Sequence, residues 1–263
     1  RRLGALEKSL GSRLFERGRG GYKTTPAGDD MVVLANRISE SVSDFERAVA
    51  GRDIRPAGIL RITTNDTFIV HLLVPVFASF RTAYPEIALD VIVTQQALNL
   101  SRRDADIAIR ATAEPPETLV GRKLSNFGWS CYAPVSRFED RSWINDKGNP
   151  ATSASWVGYG EALNIFLAKK WLLSQTPAEN IVCRFDTLVG VAQAISEGMG
   201  LGAIPCFIGD QIGNIRRVGK LLHFGDALWV LTHEDLRQAA RVRSFMEHAS
   251  AELGKQKKLI EGQ

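Results

Sequence analysis

Seven basic side chains, Arg1, Arg2, Lys8, Arg13, Arg17, Arg19 and Lys23, fall in the first 25 residues against only Glu7 and Glu16. That local excess of five exceeds the +4 of the whole chain, so the remainder carries −1. Positive charge gathered at one end suits phosphate contact, because each neutralised phosphate releases counterions. On charge alone a solvated basic face is an equal alternative. A second group is polar. Thr64, Asn65, Asp66 and Thr67 fall between a strand and a helix, where unpaired backbone N–H groups can hold a carboxylate or phosphate. Asp66 reads equally as the helix cap, and would repel an anion. Arg110, at a strand end, suits an anion partner or a surface salt bridge.

Catalytic chemistry finds little support. The glycines from Gly198 to Gly202 follow a helix and precede a strand, the reverse of the order a dinucleotide loop needs. There is no Gly-x-Ser-x-Gly elbow and no P-loop, and His71, His223, His233 and His248 lack metal-ligand spacing. No enzyme, cofactor or metal site is expected. Cys131, Cys183 and Cys206 are odd in number and widely spaced, which argues against a disulfide framework; Cys183 alternates with Ile181 and Phe185 and is expected in the core. No signal peptide is visible at the given start. His71 and Pro75 break the longest hydrophobic region short of the roughly 18 apolar residues a membrane span needs. A cytoplasmic protein without membrane contact is expected.

The basic residues must be positioned by local structure. Leu3, Leu6 and Leu10 share one helical face, expected to be buried, and Gly11 ends that helix. Leu14 to Arg17 and Tyr22 to Thr24 read as two short strands around a glycine-rich turn carrying Arg19. Thr25-Pro26 then opens a helix with a hydroxyl cap, proline at the first position and Asp29 and Asp30 in the first turn. Met31, Ala35, Ile38, Val42, Phe45 and Val49 are spaced 4, 3, 4, 3, 4, an a/d seam that asks for a partner helix. Val32, Val33 and Leu34 widen the stripe, so packing on its own domain is the alternative.

From Ile59 strands and helices alternate. Strands are expected at 59–64, 87–94, 105–109, 119–124, 128–133, 156–159, 181–185, 201–204 and 228–231, and helices at 67–83, 162–174, 187–197 and 238–253. Such alternation predicts a mostly parallel sheet covered on both faces, with length enough for two small subdomains. Trp156, Phe166 and Trp171 are expected in the core.

The front segment, Leu6-Glu7-x-x-Leu10-Gly11-x-x-Leu14-Phe15-x-Arg17 followed by Thr25-x-Ala27-Gly28, resembles the winged helix-turn-helix of LysR-type transcriptional regulators nearly residue for residue. Further back, Tyr84-Pro85-x-Ile87, the run from Asp104 to Arg110, and Gly198 to Pro205 resemble the same family's effector-binding domain in the same order. The resemblance implies an α/β fold: a partial winged helix-turn-helix over 1–25, a linker and dimerisation helix with its hinge over 26–57, and a two-lobed, periplasmic-binding-protein-like effector domain over 58–263. Its strand crossings are expected near Tyr132 to Pro134 and Phe224 to Leu228, giving lobe I about 58–132 and 226–263 and lobe II about 133–225. The resemblance places Arg1 inside the recognition helix. The helices before it would precede this sequence, and the chain alone is expected to bind DNA poorly.

On that reading Arg1 and Arg2 face the major groove of an operator, while Arg17, Arg19 and Lys23 serve the wing. An effector would lie between the lobes, against Thr64, Asn65, Asp66 and Thr67, the loop Thr94, Gln95 and Gln96, Arg110, and from lobe II Tyr159, Phe185, Asp186 and Thr187, the last two also readable as an N-cap. The partners implied are double-stranded promoter DNA, a second copy of the chain in a homodimer or tetramer, a small-molecule effector and, as a further candidate, RNA polymerase. A redox-sensing cysteine pair, which occurs in some members, is the weaker reading. The competing function is a solute-binding or receptor domain without DNA binding, from which the basic wing joined to a heptad helix separates this chain.

Overall fold

A computed structural model describes residues 2–18, 21–32, 34, 35, 38, 42, 56–94, 105–137, 143–145, 149–151, 153–163 and 167–263. The chain divides into two units, Arg1–Arg55 and Pro56–Gln263.

In the first unit α1 (Arg2–Leu10) is followed by an antiparallel hairpin of β1 (Phe15–Gly18) and β2 (Gly21–Thr24). Gly11 takes φ +66°, the left-handed turn that stops α1. The motif residues are held by specific geometry. Glu7 Oε1 accepts the Leu14 and Phe15 N–H groups at 2.8 and 3.1 Å, fixing the chain where it enters β1. The Thr25 hydroxyl donates to the Arg13 carbonyl at 2.7 Å and accepts the Gly28 N–H at 3.0 Å, capping the helix that opens at Pro26. A Cβ on Gly28 would stand 2.0 Å from the Leu14 carbonyl oxygen, so only glycine lets this helix approach so closely. One expectation fails: Leu3, Leu6 and Leu10 are exposed, because no described element covers that face of α1. Along the following helix Met31 is half-buried, and Ala35, Ile38 and Val42 are exposed; Phe45, Val49 and the hinge at 51–55 lie outside the described residues.

The second unit has two lobes. Lobe I carries a five-stranded sheet in the order β4-β3-β5-β12-β6, made of β3 (Gly58–Thr64), β4 (Ile87–Val93), β5 (Ile107–Thr112), β6 (Leu119–Asn126) and β12 (Ala227–His233). β3 runs parallel to β4 and β5, whereas β12 is antiparallel to β5 and β6. The sheet is therefore mixed rather than mostly parallel: β6 leads out to lobe II and β12 brings the chain back.

Lobe II pairs β7 (Trp129–Pro134) antiparallel with β10 (Gly202–Pro205) and β11 (Ile215–Leu222). β8 (Trp156–Tyr159) runs parallel to β9 (Ile181–Phe185), and a bridge from Trp156 to Leu201 links β8 to the residue before β10. The outward crossing thus lies at Phe127–Gly128, ahead of the expected Tyr132–Pro134, which is the far end of β7. A Cβ on Gly128 would meet the Glu261 carbonyl oxygen at 2.1 Å, so the crossing is threaded tightly past the C-terminus.

Helix α2 (Asp66–Ala83) has a π turn at Ile69–Leu73 just before Pro75. Proline cannot donate to the carbonyl one turn back, at His71. Gln211 Nε2 of lobe II takes that carbonyl at 3.4 Å, and Gln256 Nε2 reaches the Leu72 carbonyl at the same distance. By length and composition α2 could cross a membrane, yet Leu72, Leu73, Val76 and Phe80 are buried in the core of lobe I. It packs on α6 (Ala240–Lys255), with Phe80 and Phe245 edge to face at 5.0 Å. Further α-helices among the described residues of this unit are α3 (Leu167–Gln175), α4 (Leu188–Ser196), α5 (Cys206–Gly209) and α7 (Lys257–Glu261). Trp156 is buried and Trp171 half-buried against it; Phe166 lies outside the described residues.

Candidate functional site

A cavity of about 20 Å³ lies at the seam between the lobes, room for about one water molecule. Lobe I supplies Asn65, Thr67 and Phe68 from the start of α2, Ala111 from β5, and Asp226 from the returning chain. Phe127 and Trp129 flank the outward crossing. Lobe II supplies Leu188 at the first position of α4, and Pro205 and Phe207 where β10 passes into α5. Three rings form one apolar wall: Phe68 to Phe127 is 5.6 Å, Phe127 to Phe207 5.6 Å and Phe68 to Phe207 5.8 Å between centroids.

The polar groups are unevenly committed. Asn65, not Asp66, is the helix cap: its Oδ1 accepts the Phe68 N–H at 2.8 Å. Asp66 Oδ1 accepts the Thr67 N–H at 2.8 Å and the Thr67 hydroxyl at 3.2 Å. The amides of Thr67 and Phe68, which the sequence offered to an anion, are thus already occupied. Asp226 is different. Burial raises its carboxyl above the ordinary 3.8, and no described residue hydrogen-bonds or ion-pairs with its side chain.

Arg110 is neither a cleft cation nor a surface salt bridge. Its guanidinium donates to the Thr94 carbonyl and the Thr63 hydroxyl, both at 2.6 Å, and desolvation brings its pKa down to about 10. Side chains alternate along a strand, so with Ala111 on the cavity Arg110 points to the opposite face. Thr64 is fully buried, and its hydroxyl has no hydrogen-bond partner. Thr94 donates its N–H to the Thr64 carbonyl at 3.0 Å; Gln95 and Gln96 lie outside the described residues.

Tyr159 belongs to the core rather than the cleft: it is 2% exposed, its hydroxyl donates to the Ala203 carbonyl, and burial pushes its pKa well up. Thr187 caps α4 by accepting the Gly190 N–H at 3.1 Å. Phe185 is half-buried against the Gly190 turn, and the exposed Asp186 sits where a Cβ on Gly160 would be only 2.0 Å from its Oδ1. None of these four lobe II side chains lines the cavity. Asn65 and Thr67 are thus the two expected residues that the structure brings to it. Phe68, Phe127, Trp129, Phe207 and Asp226 were not anticipated; the available signal was their position beside the strand crossings and the α2 junction.

At the other end of the chain Lys23 is exposed on β2, in register with Glu16 of β1. Arg1 and Arg19 lie outside the described residues; Arg2 and Arg17 are placed in α1 and β1 by their backbone alone. All three cysteines are free; burial pushes Cys131 up to about 12 and raises Cys183 and Cys206, so none is favoured as a thiolate. Cys183 is half-buried rather than fully in the core. Among the described residues no group of three or more His, Cys, Asp or Glu could hold a metal ion.

Residues 54–254 match the family model of the LysR substrate binding domain. The chain belongs to the LysR family. The Mau operon transcriptional activator of Paracoccus denitrificans is 33% identical over 259 residues, covering 96% of this chain and 86% of its own length. An HTH-type transcriptional regulator of Xanthomonas campestris is 32% identical over 139 residues, 53% of this chain; the match spans 40% of that regulator's length. The solved structure of CrgA, a LysR-type regulator from Neisseria meningitidis, shares the fold at TM-score 0.60 and 21% identity, over 96% of this chain and 87% of CrgA. These relatives carry the names of transcriptional regulators rather than enzymes.

Proposed function

We propose that this chain is part of a transcriptional regulator whose DNA binding is set by a small effector held between the two lobes. The observation that carries the reading is the seam cavity, built by both lobes and fed by the strand crossings. At about 20 Å³ it is far below the several hundred Å³ of a typical ligand pocket, so an effector must part the lobes to enter. Ligand binding and lobe angle are then one equilibrium, which is what coupling to a distant DNA site requires.

The lining supports one effector class over another. With the α2 amides occupied and Arg110 turned away, the seam presents an aromatic wall and one half-buried carboxyl, Asp226. It suits a small apolar or aromatic molecule bearing an ammonium or another hydrogen-bond donor, rather than a simple carboxylate. DNA contact rests on the basic stretch 1–25, with Arg1 and Arg2 reading the groove and Arg17, Arg19 and Lys23 gripping the backbone. The exposed Ile38 and Val42 belong to the a/d seam through which two copies would pair. The protein works in the cytoplasm, and activation would bring RNA polymerase as a further partner.

The test is genome-wide capture of DNA fragments by the natural full-length protein, with and without Arg17→Ala and Lys23→Ala. Enrichment at discrete promoter sites that weakens in the variants and with added salt supports the reading. Absence of enrichment, with retained binding of small molecules at the seam, favours a receptor domain instead.

A further inference from the structure

A second concavity, of about 330 Å³, opens on lobe I between the edge strand β6, the end of β12 and the first turns of α6. It is much larger than the seam cavity, and its character is opposite. Arg122 projects from β6, Arg237 from the turn before α6, and Arg243 from α6 itself, with Glu247 the single carboxylate. All three arginines are exposed, and none of their guanidinium groups forms a hydrogen bond or ion pair with a described residue. Isolated surface arginines extend into solvent at little cost. Three that converge on one hollow repel one another, and the lining is left with an excess of two positive charges.

Two further features add to this field. α6 is capped by Ala239, whose side chain offers no acceptor, so the first-turn N–H groups keep their partial positive charge at the end where Arg237 leads in. Gln238 supplies a neutral hydrogen-bonding group beside the cations, while the buried Thr232 hydroxyl is committed to the Asp106 carbonyl at 2.8 Å. Arg122 on a strand and Arg243 on a helix approach from two sides, an arrangement suited to gripping two separate anionic groups, each by the planar guanidinium fork.

We propose that this hollow is a second ligand site, separate from the seam, for a small polyanion: a molecule carrying at least two carboxylate or phosphate groups. It gives lobe I an input of opposite charge preference to the one proposed for the seam. The assignment does not depend on DNA binding or on the seam being occupied.

The test is isothermal titration of the full chain at low salt with citrate, pyrophosphate and, as a control, acetate. The variants are Arg122→Gln/Arg243→Gln, Glu247→Gln and Leu188→Trp. The site requires one citrate or pyrophosphate per chain, no comparable acetate binding, and loss of roughly tenfold or more in affinity per arginine removed, since each takes away charge-assisted hydrogen bonds. Glu247→Gln tightens binding, while Leu188→Trp, which fills the seam, leaves it unchanged. The arginine side chains are exposed and have no described partner, so an unchanged melting temperature verifies that the double variant is folded. Absence of binding to either polyanion overturns the proposal. So does binding retained in the arginine double variant, which places the anion on the basic stretch 1–25, or binding lost only in Leu188→Trp, which places it at the seam.

Discussion

Phe207→Ala probes the wall on which the seam depends. Phe207 is 1% exposed, and its ring meets Phe127 at 5.6 Å, Phe68 at 5.8 Å and His71 at 6.2 Å. Burying a phenylalanine contributes about 1.5–3 kcal/mol by transfer alone. Its aromatic pairings add about 0.5–1.5 kcal/mol each, and incomplete collapse around the missing ring adds a cavity cost. Together these place the loss near the usual range for such a truncation, about 3–5 kcal/mol. In a domain of roughly 200 residues each kcal/mol lowers the melting temperature by about 2–4 °C, so a fall on the order of 10 °C is expected. Urea unfolding of the full chain should show a lower midpoint with an unchanged slope, because the area exposed on unfolding hardly changes. Added indole, which fits the vacated apolar space, should restore part of the loss by mass action. A cost below about 1 kcal/mol, or no response to indole, would refute the account of three rings sharing one tightly packed wall.

Asp226→Asn should stabilise the protein at neutral pH: burial raises the native carboxyl above 3.8, so ionisation weakens the fold as pH rises through that window, and thermal melts should converge with wild type as pH falls toward 3.8. His71 shows the reverse dependence, because burial lowers its pKa from 6.5 and the unfolded chain binds the proton more readily; stability should fall as pH drops below 6.5, less steeply in His71→Gln, as read by melting temperature across that range. Gly28→Ala drives a Cβ into the Leu14 carbonyl and should cost about 2 kcal/mol locally, seen as faster amide exchange at Thr25, whose N–H donates to that carbonyl. Arg217→Ala removes the pairing with Asp210 and the 2.7 Å hydrogen bond to the Gly262 carbonyl; with both charged side chains partly exposed the loss should be about 1–2 kcal/mol in urea, accompanied by faster exchange at the C-terminus.

Local patterns were legible where one face of an element decides its burial. β8 and β9 stand at the expected residues, and β3 differs by a single residue, because alternation and β-branched side chains mark them. β11 was missed: Arg216, Arg217 and Lys220 give it an edge-strand composition, and Gly219 at φ +82° interrupts its pairing with β7. The outward crossing lies earlier than expected because Phe127 and Trp129 are as buried as the strand residues that follow, so the apolar pattern alone does not separate the Ser125-Asn126 end of β6 from the start of β7. Arg110 shows a different limit. Its type suggested an anion partner, but the parity that turns it away from Ala111 and the seam only acquires meaning once the register of β5 with β12 is fixed. The seam joins positions as distant as Asn65, Phe127, Leu188 and Asp226, whose proximity is a property of topology rather than of any local spacing.

The occupancy of that seam can be measured directly by methyl-labelled NMR of the chain, following Ala111 on lobe I and Leu188 on lobe II while a library of small aromatic amines, alcohols and carboxylates is titrated. Aromatic amines or other donor-bearing fragments should shift both methyl signals together with saturable affinity, and Asp226→Asn should weaken the amines selectively. Fragments that move only one of the two methyls, or a preference for carboxylates that survives Asp226→Asn, would contradict occupancy of the seam by such a ligand.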